Sequence, residues 1–101
     1  MAFEIEWDDE AIEDYKNILK YLNLEWSKNS VIKFEKLLEK KLLSLSNNPN
    51  TGRRTSKNSR IRKIVVTYQN TIYYQFNDEA VKILRIFDTR QHPRKLKLRK
   101  R

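Results

Sequence analysis

With 101 residues, 39% of them apolar and 11% aromatic, the chain is expected to fold as a single small domain over residues 1–101; a disordered chain would be poor in aromatics. It has no cysteine and one histidine, which excludes disulfides, thiolate metal sites and a typical zinc set, so no metal and no cofactor is expected. The net charge is +9, and its distribution is uneven: −6 over residues 1–26, +3 over 27–52 and +12 over 53–101, so the second half is expected to present a basic face to a polyanion.

The N-terminal MAFEIEWDDE is acidic and lacks an apolar h-region, so no signal peptide is expected. No apolar run approaches the ~20 residues that span a bilayer, so the chain reads as soluble, cytoplasmic and without membrane partners. Within that segment FEIEW alternates, with Phe3, Ile5 and Trp7 pointing one way and Glu4 and Glu6 the other. This is the period of a half-buried strand. Asp8 or Asp9 can then cap a helix whose buried stripe is Ala11, Tyr15, Ile18 and Leu22, widened by Ile12 and Leu19. Asp8, Asp9, Glu10, Glu13 and Asp14 crowd its first turns, where the helix dipole favours anions, so part of the acidic bias is structural.

NLEWSKNS breaks the helical pattern, and Ser27 or Ser30 can cap a second helix. Val31, Phe34, Leu38, Leu42 and Leu45 form its buried stripe, with Leu37 at the margin and lysines on the other face. The short link predicts an antiparallel helical hairpin. SNNPNTG ends it, because Pro49 cannot continue a helix and Asn50 to Gly52 suits a turn. Residues 53–59 read as a polar basic loop. RIRKIVV (60–66), TIYYQF (71–76) and VKILRIFD (81–88) are strand-like and joined by the short polar links TYQN and NDEA, which predicts a meander of hairpins. The expected fold is α+β in the order β-α-α-β-β-β, with the helical hairpin packed on one face of a largely antiparallel sheet. Residues 94–101 form a basic tail expected to be ordered only in part.

Several side chains could carry chemistry. Arg85 shares a strand period with Val81, Ile83 and Phe87, and an arginine so placed either pairs with a carboxylate or lines a site. Arg60, Arg62 and Lys63 open the first strand of the meander, just after Arg53, Arg54 and Lys57, and Arg90 follows the last. Clustered arginines bind phosphates bidentately and stabilise a phosphorane; for Arg53, Arg54 and Lys57 a solvated basic loop is the alternative. Tyr68 and Tyr73 are candidates for stacking on bases, whereas alternation puts Tyr74 with Ile72 and Phe76 in the core. His92 titrates near neutrality and could serve as general acid or base on a ribose hydroxyl, or be a plain turn residue before Pro93. Arg94 and Lys95 open the tail and add to the binding candidates.

The layout resembles the RelE/ParE superfamily of bacterial type II toxins. The resemblance is carried by the strand ending in Trp7, by AIEDYKNILKYL, by WSKNSVIKFEKLLEKKLLSLSNNPNTG and by RKIVVTYQNTIYYQFNDEAVKILRIFDTRQHPRK, and it covers nearly the whole chain. It implies a toxin that arrests growth and is held inactive by a cognate antitoxin in a hetero-oligomer. One branch of the superfamily cuts mRNA in the ribosomal A site without a metal; the other inhibits DNA gyrase. Arg90 and His92 lie near the nuclease branch's basic residue and its C-terminal His or Tyr, so that branch would make Arg60, Arg62, Arg85, Arg90 and His92 catalytic. Against this, Thr71 stands where that branch commonly carries an arginine. The resemblance therefore leans toward gyrase or topoisomerase inhibition. A ribosome-dependent mRNA endonuclease and a harmless basic nucleic-acid-binding domain are the alternatives.

Overall fold

The computed structural model describes residues 2–56 and 60–88. Strand β1 (Glu4–Trp7) leads into helix α1 (Asp9–Glu25), helix α2 (Lys28–Asn47) and a single 3₁₀ turn (Pro49–Thr51). Strands β2 (Arg53–Arg54), β3 (Arg62–Thr67), β4 (Asn70–Phe76) and β5 (Ala80–Asp88) follow. They form one sheet in the order β1-β5-β4-β3-β2, in which only the β1–β5 pair is parallel.

The helix ends follow from short polar side chains. Asp8 accepts the backbone N–H of Asp9, and Ser27 Oγ accepts that of Ser30, so each satisfies an amide that the helix itself leaves open. The apolar stripes meet one face of the sheet. Ala11, Phe34, Leu38 and Leu45 pack with Val66, Ile72, Tyr74, Val81, Ile83 and Ile86 as one buried cluster, flanked by Phe3, Ile5 and Trp7. The alternation in FEIEW is thus realised: its apolar residues lie under the helices, and Glu4 and Glu6 are exposed. The N-terminus is fastened to the end of α2 by two hydrogen bonds, Phe3 N–H to Ser46 O at 2.8 Å and Ser46 Oγ to Phe3 O at 2.7 Å.

Two details depart from the sequence expectation. The basic loop begins with a short strand, since Arg53 and Arg54 pair with Lys63 and Arg62, so the order is β-α-α-β-β-β-β. The second departure is a bulge in β5. Tyr73 lies opposite Arg85 but Tyr74 lies opposite Ile83, which leaves Leu84 as the extra residue. One inserted residue reverses the side-chain phase of everything beyond it. Arg85 therefore shares a face with Phe87, opposite Tyr73 and Thr71, and not with Val81 and Ile83 as strict alternation predicts.

Tyr74 is fully buried and closes the link between α2 and β2. Its hydroxyl donates to Pro49 O at 2.6 Å and accepts the N–H of Gly52 at 2.8 Å. Burial first, opposed by the Gly52 bond and the nearby Arg62 charge, raises the phenol above its ordinary pKa. Gly52, the chain's single glycine, is needed for this approach, because a Cβ there would meet the Tyr74 ring and hydroxyl and would lie 2.8 Å from Lys63 O. Tyr74→Phe leaves two buried backbone groups without their partner and is expected to cost about 1–3 kcal/mol. Gly52→Ala is expected to cost at least as much by overpacking. Urea unfolding of both variants checks this, and a Gly52→Ala protein as stable as the parent would refute the close-contact account.

Candidate functional site

Strand register, more than sequence proximity, assembles the basic surface. Arg53 pairs with Lys63, Lys63 with Tyr73 and Tyr73 with Arg85, so three cations and one tyrosine form a row across four strands. The adjacent row runs Arg54, Arg62, Tyr74, Ile83 and Trp7. Tyr74 and Ile83 belong to the helix-side core, and neighbouring residues along a strand face opposite ways, so Arg53, Lys63 and Tyr73 lie on the face away from the helices, while Arg85, where β5 runs past the end of β1, reaches round that edge to α1. A third row, Gln75, Lys82 and Glu6, lies on that same face.

A cleft of about 540 Å³ opens at this end of the sheet, lined by Glu6, Arg54, Arg60, Arg62, Gln75, Phe76, Asn77, Ala80 and Lys82. Four cations against one carboxylate give it a positive field, and concave walls of lower dielectric concentrate such a field. Arg62 is held in place by its own backbone contacts. Its guanidinium donates to Gly52 O at 2.7 Å and to Asn50 O at 3.4 Å, and it lies 5.9 Å from the centre of the Phe76 ring. That stacking contributes about 0.5–1 kcal/mol at a solvent-accessible position. Arg54 and Arg60 are exposed at the rim. The arrangement suits a phosphate or carboxylate group, which bidentate arginines recognise.

Arg85 has a different occupation. Its Nε donates to Asp14 Oδ2 at 2.7 Å and its Nη2 to Asp14 Oδ1 at 3.0 Å, with Glu10 at 3.7 Å. The same Asp14 carboxylate accepts the backbone N–H of Ile86 at 3.0 Å. The hydrogen bond to Asp14 is the main cause that raises the guanidinium pKa above its ordinary value. The expected carboxylate pair is realised. The partner comes from α1, whose crowded acidic first turns are the available signal in the sequence.

Tyr73 is half-buried, and its ring stands edge-on to Phe87 with centroids 6.5 Å apart. Tyr68 is 86% exposed in the β3–β4 turn, away from the cleft lining. Thr71, at the position where the nuclease branch commonly has an arginine, is buried opposite Phe87. Lys57, Arg90, His92, Arg94 and Lys95 lie outside the described residues. Lys82 and Glu6 of the cleft were not singled out from sequence, because they meet only through the parallel β1–β5 pairing, which no local pattern announces.

Comparison with known proteins places this geometry. The model of a family described as the ParE toxin of type II toxin–antitoxin systems, parDE, matches residues 5–93. No curated protein matches at a significant level. Among solved structures, the chromosomal ParDE toxin–antitoxin system of P. aeruginosa superposes with a TM-score of 0.72 at 17% identity, over 86% of this chain and 96% of that one. The YoeB dimer of Staphylococcus aureus gives 0.58 at 18% identity, over 82% of this chain and 92% of that one. The toxin–antitoxin complex DinJ-YafQ of E. coli gives 0.57 at 14% identity, over 87% and 93%. At these identities the solved structures establish a shared fold.

The two acids around Arg85 should differ in weight. Asp14→Asn weakens a partly buried bidentate pair and is expected to cost about 1–3 kcal/mol in urea unfolding. Glu10→Gln, at a longer and more exposed contact, is expected to cost under about 0.5 kcal/mol. Equal losses in the two variants would refute the assignment of Asp14 as the principal partner.

Proposed function

The chain belongs to the ParE toxin family of type II toxin–antitoxin systems, and on that premise we propose that it arrests growth by binding DNA gyrase or a related topoisomerase and is neutralised by a cognate antitoxin. A target and partner of this kind place its action in the cytoplasm. The observation that carries the mechanistic half of the reading is the occupation of Arg85. A nuclease of this fold would need charge gathered at the sheet centre to stabilise a pentavalent phosphorane. There, Thr71 is an uncharged buried residue, and Arg85, opposite Tyr73 two residues further along β4, is held by Asp14 and Glu10. A carboxylate bound bidentately to that guanidinium competes directly with a phosphate for the same donors. The antitoxin half of the reading is supported by the neighbours, two of which are toxin–antitoxin systems. The basic sheet face suits an acidic segment of such a partner.

A second reading, ribosome-dependent cleavage of mRNA, is favoured by one observation: the cleft gathers Arg54, Arg60, Arg62 and Lys82. In that reading these groups hold the RNA backbone, and Arg90 and His92 supply the remaining acid and base chemistry.

Induced expression in bacteria with parallel mapping of mRNA ends and a gyrase supercoiling assay separates the two. The gyrase reading expects inhibited supercoiling, no new in-frame mRNA ends, and undiminished arrest by the Arg90→Ala and His92→Ala variants. If mRNA ends appear and these variants lower cleavage by about 10²-fold or more, the range seen for loss of a transition-state donor or a general acid–base group, the nuclease reading replaces it.

A further inference from the structure

The turn joining α1 to α2 carries an apolar surface that neither the cleft nor the charged rows use. Leu24, Trp26 and Ile32 are 70%, 66% and 49% exposed. Beside them runs a groove of about 460 Å³, lined by Leu19, Lys20, Asn23, Lys28, Val31 and Ile32.

The fold does not require these side chains. Trp26 ends α1 through its backbone, with its N–H donating to Leu22 O, a bond that most residues would make equally well. Neither Leu24, Trp26 nor Ile32 belongs to the buried cluster beneath the helices or packs against it. A tryptophan and two aliphatic residues left in water around one turn form a patch of the kind that marks a docking surface, and tryptophan is the residue most enriched among energetic anchors.

Charge narrows the occupant. Between residues 20 and 34 the chain carries Lys20, Lys28 and Lys33 against the single acid Glu25. Lys20 and Lys28 line the groove itself. Two copies of this surface brought together would oppose like charges, which is costly at an interface. A groove also needs a side chain to fill it, which a protein segment supplies and a flat lipid surface does not.

We propose that the tip of the helical hairpin is the contact by which this toxin holds its protein target, with an apolar side chain of the target in the groove and target carboxylates against Lys20 and Lys28. The proposal rests on the target-binding reading above.

The test uses the full chain. A Leu24→Ser/Trp26→Ser variant is compared with the parent for inhibition of gyrase supercoiling, for affinity toward the cognate antitoxin and for urea unfolding. Inhibition is expected to fall by roughly 30-fold or more, as for two anchor residues, while antitoxin affinity and the unfolding midpoint stay within about twofold and experimental error of the parent, as for exposed positions. Lys20→Glu/Lys28→Glu is expected to weaken inhibition about 10-fold, and added salt should weaken the parent in the same direction. Undiminished inhibition by the Leu24/Trp26 variant overturns the proposal. So does loss of antitoxin binding in its place, dissociation of a parental dimer in sedimentation, or Trp26-dependent binding to anionic vesicles. If the lysine variant inhibits as well as the parent, the carboxylate-flanked target is wrong. A parent that does not inhibit gyrase refutes the functional reading and this proposal together, a result read on the parent alone and so distinct from failure of the tip.

Discussion

The carboxylate of Asp14 joins the two halves of the molecule. Strand β1 ends at Trp7, opposite Ile83, so β5 beyond that point has no strand on its β1 side. A buried amide without a partner there would cost about 1–3 kcal/mol. Asp14 takes the place of the missing strand by accepting the Ile86 N–H, and its negative charge is balanced by Arg85. One helical side chain thus closes the edge of the sheet, fixes α1 against β5 and holds an arginine that would otherwise be available to a ligand. Stability and chemistry are in tension at this point. The interaction that completes the sheet is also the one that withdraws a cation from the central row.

The same constraint explains what could be read from the sequence and what could not. Helical spacing and alternation are local properties, so the two helices, their Asp8 and Ser27 caps, the inward-facing Phe3, Ile5 and Trp7, and the core position of Tyr74 were all legible. The bulge at Leu84 was not. VKILRIFD alternates less cleanly than it first looks, with apolar residues at 83 and 84 and again at 86 and 87, and that doubled pattern is the trace of an extra residue. The face assigned to Arg85 was wrong for that reason alone. The partner of Arg85 lay 71 positions away, and no spacing rule reaches across such a distance.

The candidate site shows the same division. Arg54, Arg60 and Arg62 could be named because basic residues crowd one stretch of the sequence. Glu6 and Lys82 could not, because they enter the cleft through parallel pairing of the first strand with the last. Charge segregation between the two ends of the chain was visible from composition, yet its meaning changes in three dimensions. Part of the N-terminal acidity neutralises a cation of the C-terminal half, and among the described residues Arg53, Arg54, Arg60, Arg62, Lys63 and Lys82 lie on the sheet or at its end.

The single glycine has a consequence for how this fold can vary. At position 52 it adopts ordinary extended backbone, so what it contributes is absence of volume rather than unusual torsion. The space is occupied by the tip of Tyr74 from 22 residues further along. The wall of that space is shared between the Tyr74 side chain and the Lys63 carbonyl. A shorter residue at position 74 would clear only part of that space, because a Cβ at position 52 would still lie 2.8 Å from the backbone carbonyl of Lys63, so in relatives that keep this chain path the glycine is expected to persist even where the tyrosine changes. A link between helix and sheet is in this way encoded by a turn glycine and a core tyrosine whose contact with each other no local pattern announces.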